Sequence, residues 1–222
     1  IEDAGMLRDH RLALLTIAPV AYDPATGAIE VYQDVEVEVT LDGADLDLAR
    51  SIKRRYSSPF FDAAVRSVLV PPSLRGDVVQ RPAAMLIVAD RMFAAELAPF
   101  VAWKTAKGFQ VTVSYTDQSG VTPDAIKAHI ASLYGSASDT NPAPDFVRFV
   151  GDHEQVPAFR GTSGSHITDL HHVCVSGTDN LPDILTGRFS AQTVAELKPQ
   201  IEKTLMYEKA EFADPSFLER ST

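Results

Sequence analysis

A chain of 222 residues with 45% apolar and 23% charged side chains has material for one good-sized hydrophobic core or two modest ones, so folding requires neither a disulfide nor a structural metal. Lys and Arg number 20 against 30 Asp and Glu, a formal charge of −10, which excludes nucleic acid as an expected partner because no basic stripe can displace phosphate counterions. No stretch approaches the ~20 consecutive apolar residues of a bilayer span, and the single cysteine, Cys174, excludes an internal disulfide and a multi-cysteine zinc site.

Residues 11–18 form an apolar run of strand length that stops at Pro19. Tyr22-Asp-Pro-Ala-Thr-Gly27 reads as a turn, with Gly27 free to take a positive φ. From Ala28 to Thr40 apolar and acidic residues alternate, the pattern of a half-buried antiparallel strand. An isolated hairpin is not stable alone, and Ile1 is not an initiator Met, so the chain is read as starting partway into a longer product. Residues 49–82 carry the basic run Lys53-Arg54-Arg55, the pair Pro71-Pro72 and scattered Arg66, Arg75 and Arg81, and are predicted to be a protease-accessible connector.

From residue 83 the periodicity becomes α/β. Strands are predicted at 85–89, 109–115, 145–150 and 184–186, and helices at about 93–107, 123–135 and 194–208. Thr122-Pro123 is a helix start with proline at the first helical position, and Gly108 a natural helix stop. Alternation at this spacing implies a parallel sheet flanked by helices, with right-handed crossovers.

Functional groups of such sheets gather beyond the carboxyl ends of the strands. Gly151-Asp152-His153 follows a strand, and the irregular stretch 154–183 is long for a compact domain. It holds His166, Asp169, His171, His172, Cys174, Asp179 and Asp183. Gly177 and Pro182 break helix and strand, so the stretch 176–183 that holds the last two acids must loop; were Asp152 to face them, three carboxylates would repel unless a cation lay between, and calcium accepts such oxygen ligands. An Asx-turn loop without metal is the alternative, and both readings stay open at this point. A metal-dependent hydrolase using Asp152 and His153, with zinc or manganese also held by His171 or His172, is a rival. Cys174 with a nearby histidine would form a nucleophile–base pair, although a small buried thiol is the commoner fate of a lone cysteine. No Gly-rich phosphate loop follows any strand.

Five ordered blocks resemble the gingipain-type cysteine peptidases: residues 100–113, Phe149-Val-Gly-Asp-His-Glu-Gln-Val-Pro157, Thr168-Asp169, Asp183-Ile-Leu-Thr-Gly-Arg-Phe-Ser190 and residues 200–208. Upstream, Gly5-Met-Leu-Arg8, residues 22–27 and residues 31–37 resemble the end of that family's prosegment. The resemblance implies a β-rich prosegment tail (1–48) contributing a β-hairpin from an all-β domain, a cleavable connector (49–82) and the first subdomain of a caspase-like catalytic domain (83–222). It further implies a secreted or cell-surface cysteine endopeptidase precursor acting on protein or peptide substrates. The second catalytic subdomain, carrying a cysteine and a Gly-His-Gly histidine absent from this sequence, would be the partner. This chain alone is therefore expected to be inactive; a non-catalytic binding or structural module of a degenerate relative is the alternative. Calcium is the implied cofactor, held by the carboxylates of Asp152, Asp179 and Asp183 and the carbonyls of Ser176 and Leu181. Arg66, Arg75 and Arg81 are the implied cleavage positions.

Overall fold

The computed structural model describes residues 1–38, 40, 42–43, 45–68, 81–138, 140–161 and 163–216. Its centre is a four-stranded, wholly parallel sheet made of β5 (Ala84–Ala89), β6 (Gln110–Tyr115), β7 (Phe146–Val150) and β10 (Leu185–Phe189), in the order β10-β7-β5-β6. All six residues of β5 are buried, and they alternate between two cores as period-two geometry requires. Leu86 and Val88 join Val147 and Phe149 beneath helix α5 (Pro123–Gly135), which contributes Ile126, Ile130 and Tyr134. Met85, Ile87 and Ala89 face the opposite side, where α3 (Ala94–Ala106) supplies Leu97 and Phe100 and α7 (Val194–Glu208) supplies Leu197 and Ile201. The result is a three-layer α/β/α stack.

Helix ends follow the sequence signals. The Thr122 side chain caps Ala125 at the start of α5, with Pro123 at the first helical position, and Thr193 caps Glu196 at the start of α7. The helices α3 and α7 are joined by Glu208, whose carboxylate meets Lys104 Nζ at 2.5 Å, Trp103 Nε1 at 2.9 Å and Lys107 Nζ at 3.1 Å. Lys104 is buried on α3, a position that a lysine occupies only when paired.

The amino-terminal part forms two antiparallel hairpins: β1 (Glu2–Leu7) with β2 (His10–Leu14), and β3 (Val20–Asp23) with β4 (Ala28–Val31). The second is exposed throughout, and the strand expected to continue to residue 40 stops at Val31. With Ile29 67% and Val31 58% exposed, its apolar side has no covering layer among the described residues, and nothing there extends the ladder. Residues expected to be an open connector form helices α1 (Leu46–Tyr56) and α2 (Pro59–Val68). Asp45 caps α1, and Lys53-Arg54-Arg55 occupy its last turn, where cations complement the helix dipole. Phe61 of α2 is buried, Phe60 meets Phe146 edge-on at 4.7 Å, and Tyr56 stacks on Tyr134 at 4.9 Å. Among the described residues no helix is long and apolar enough to cross a membrane.

Candidate functional site

Polar chemistry concentrates at the amino edge of the sheet, around Arg8. This residue sits in the two-residue turn between β1 and β2, in the left-handed region at φ 57°, and is 2% exposed. Its Nε donates to the Tyr56 carbonyl (2.6 Å), and its Nη1 donates to the carbonyls of Pro144 and Asp183 (2.8 Å each). Nη2 lies 3.5 Å from Asp145 Oδ1, and the guanidinium stacks over the Phe61 ring at 5.1 Å. Asp145 is itself fully buried; it also accepts the β5 amide of Ala84 and a bidentate pair of hydrogen bonds from Arg81 at 2.8 and 2.9 Å. Burial depresses the Arg8 pKa, with Asp145 among the groups opposing that shift.

The backbone of the same hairpin engages the 176–183 loop. Met6 N–H donates to Asp179 Oδ2 at 2.9 Å, and Arg8 N–H donates to Asp183 Oδ1 at 3.3 Å. Gly5, at φ 106°, makes this approach possible: a Cβ there would run into the Asp179 carboxylate. The remaining oxygens are also taken. Asp179 Oδ1 accepts from Leu181 N–H, and Asp183 Oδ2 accepts from the amides of Val175 and Ser176, each at 2.8 Å. Burial raises the Asp183 pKa against the pull of its three N–H donors.

The expected convergence of Asp152 with Asp179 and Asp183 is not realised. Asp152 follows the carboxyl end of β7, whereas Asp183 precedes the amino end of β10, which runs parallel to β7 with Leu185 opposite Phe146. A five-residue strand therefore separates the two acids, about 16 Å at ~3.3 Å per residue. The Asp152 carboxylate receives Gln192 Nε2 at 3.0 Å, Ser190 Oγ at 3.1 Å and His153 N–H at 2.9 Å, which together hold its pKa at about 2, Gln192 contributing most. Ser176 and Leu181 meet the acids through their N–H groups, Ser176 on Asp183 and Leu181 on Asp179. A calcium ion needs six to eight oxygen ligands, and three acids that already accept N–H, N–H₂ and O–H donors and are split between two edges of a sheet do not fit it. Calcium added to the chelator-stripped chain is accordingly expected to move Tm by less than ~1 °C; a rise of several degrees in a thermal melt would restore the calcium shell.

The rest of the loop is structural. His172 is buried in the short helix α6 (Leu170–Val173), its ring against those of Phe149 and Phe159, and His171 meets Phe159 edge-on. Neither imidazole reaches Asp152 and His153 as the metal-dependent hydrolase requires, and these groups form no metal-binding cluster among the described residues. The Cys174 thiol donates to the Leu170 carbonyl, and burial lifts its pKa, the reverse of an activated nucleophile. Asp169 forms a bidentate pair with Arg188 at 2.6 and 2.9 Å, and Arg188 also binds the carbonyls of Gly151 and Val156. Of the candidate cleavage residues, Arg81 is sequestered on Asp145 and the Ser57 carbonyl with its side chain 9% exposed, Arg66 lies within α2, and Arg75 is outside the described residues. Arg8 and Asp145 organise the site although no local signal marks their roles: an Arg-Asp turn lacks the Asn-Gly or Asp-Gly signal of a two-residue hairpin.

The comparisons with known proteins divide along this contact. Residues 79–220 match the model of Peptidase family C25, and residues 1–53 match that of its propeptide. The chain is 36% identical to Lys-gingipain of Porphyromonas gingivalis over 225 aligned residues, a match that takes in 100% of this chain and 13% of that protein. A solved protease structure superposes with a TM-score of 0.58 and 39% identity over 64% of this chain and 32% of its own. A complex of Porphyromonas gingivalis RgpB pro- and mature domains superposes with a TM-score of 0.51 and 25% identity, covering 56% and 29%. The hairpin that carries Arg8 thus falls in the propeptide match and the sheet that receives it in the peptidase match; the chain belongs to peptidase family C25, the gingipain-type cysteine peptidases, and its sheet is of their caspase-like kind.

Proposed function

We propose that the chain is the prosegment tail and the first, non-catalytic subdomain of a secreted or cell-surface cysteine endopeptidase precursor. In the whole protein, peptide bonds of a protein or peptide substrate are cleaved by a cysteine–histidine pair on a second subdomain, the partner of this one. The observation that carries the reading is Arg8: a residue within the propeptide match is buried against Asp145 and Asp183, both within the peptidase match. Prosegment and subdomain therefore fold against each other, as a latent precursor requires. Arg66 and Arg75 lie between the two matches and are the positions at which processing would separate them, Arg66 after local unwinding of α2.

The 222-residue chain is expected to give no turnover of fluorogenic Arg- or Lys-peptides. The full precursor, once processed, should hydrolyse such peptides, lose activity to iodoacetamide and keep it when Cys174 is replaced by serine. Turnover by the chain alone, or loss of precursor activity in the Cys174→Ser variant, would overturn the assignment of the dyad to a second subdomain.

A further inference from the structure

We propose that Asp9, His10 and Asp62 form a zinc site that ties the β1–β2 hairpin to α2. Asp9 is the second residue of the hairpin turn, His10 opens β2, and Asp62 lies in the first turn of α2. His10 Nε2 stands 3.1 Å from Asp62 Oδ1 and 3.6 Å from Asp9 Oδ1, and one ligand atom from each residue lies within 4.8 Å of the others. Ligands at ~2.0–2.1 Å from a tetrahedral zinc are separated by roughly 3.3–3.4 Å, a spacing that the two measured edges of 3.1 and 3.6 Å bracket.

The second observation is an unsatisfied acid. The Asp9 side chain is 5% exposed, and its buried Oδ1, the atom facing His10, accepts no hydrogen bond. A buried carboxylate oxygen without a partner is costly. A neutral imidazole has one N–H: the Nε2 proton that satisfies Asp62 leaves Asp9 bare. A divalent ion satisfies all three at once, because it accepts electron pairs from both carboxylates and from an unprotonated Nε2. Two carboxylates and a neutral imidazole balance a 2+ charge and leave a fourth position for water. The neighbouring Arg8 guanidinium commits its donors to Tyr56, Pro144, Asp183 and Asp145 rather than to these acids. His10 is 33% and Asp62 19% exposed, which gives an ion a path from solvent. Imidazole among the ligands and the small number of oxygens favour zinc over calcium or magnesium.

The site joins a hairpin inside the propeptide match to a helix that lies between the two matches, so the ion acts as a latch on the docked prosegment. The test is titration of the whole chelator-stripped chain with ZnCl₂ by calorimetry, with Tm followed in parallel, and with CoCl₂ followed by visible absorption. One equivalent of zinc, a rise in Tm and the intense d–d bands of a four-coordinate cobalt site are expected. His10→Gln and Asp62→Asn should each weaken zinc binding by at least ~10–100-fold, since even groups that only support a metal ligand are worth that much. Both side chains are partly exposed, and if one variant fails to fold by circular dichroism the other carries the comparison. No binding heat with unchanged Tm, or zinc affinity equal to that of the unsubstituted chain in the folded variant, would show a metal-free acid–histidine cluster and overturn the proposal.

Discussion

Replacing Arg8 by methionine should loosen the β1–β2 hairpin by ~3–5 kcal/mol, the cost of removing one partner from a buried, hydrogen-bonded ion pair. Methionine keeps the apolar stem over Phe61 but leaves the carbonyls of Tyr56, Pro144 and Asp183 without the donors they now receive. Asp145 retains Arg81 and the Ala84 amide, so the sheet itself should survive. The loss is expected to be local, and amide hydrogen exchange reads it directly. The Met6 amide, which donates to Asp179, should lose protection by roughly 10²–10⁴-fold, while amides of β5 and β7 hold theirs. Arg8→Lys should also fail to restore docking, because one ammonium has no fork to reach carbonyls on three sides. Equal Met6 protection in Arg8→Met and the unsubstituted chain would remove Arg8 as the anchor of the prosegment.

The α/β half was legible because its signals are local and redundant. The run Met85-Leu-Ile-Val-Ala89 is apolar on both faces, as a central parallel strand must be, and Thr122-Pro123 and Gly108 mark helix limits by chemistry independent of tertiary contacts. The helix 194–208 was likewise given by its Leu197 and Ile201 stripe. Within the segment read as a protease-accessible connector, residues 49–56 and 59–68 are helical: the cap at Asp45 and the proline at the first position of α2 count for more than the arginines and prolines that suggest a connector. Its packing depends on Arg8 and on the rings of Tyr134 and Phe146, which lie far away in sequence.

The acid cluster failed for a topological reason. In an all-parallel sheet, a residue that follows one strand and a residue that precedes the next lie on opposite edges. Asp152 follows β7 and Asp183 precedes β10, so no loop conformation short of moving a strand brings them together. Charge spacing along the loop 176–183 could not show this, nor could it show that Met6 and Arg8 would supply the hydrogen bonds that Asp179 and Asp183 accept.

Acid should destabilise the subdomain through His172. Its Nε2 lies 3.0 Å from the Pro157 carbonyl, which can only accept, so the proton is on Nε2. Nδ1 is buried with no partner, beside the Phe149 and Phe159 rings at 5.0 and 4.8 Å. A second proton would place a charge in that apolar slot, and burial accordingly holds the pKa down to about 4 against an ordinary 6.5. Between these values the unfolded chain binds a proton that the folded chain refuses, so stability falls as pH drops from 6.5 to 4. The full loss is on the order of 3 kcal/mol, complete once both states are protonated. Burial depresses His129 in the same direction, while the raised pKa values of Asp9 and Asp183 oppose it, each acid favouring the folded state as pH falls through its titration range. The informative quantity is therefore the difference between the unsubstituted chain and His172→Phe in urea unfolding across pH 7.5 to 4. That difference cancels the other groups, and the substitution keeps an aromatic ring against Phe149 and Phe159. The stability of His172→Phe should decline less over this interval by most of that amount. Parallel curves would mean that His172 is charged inside the fold and that its slot is wetter than its neighbours suggest.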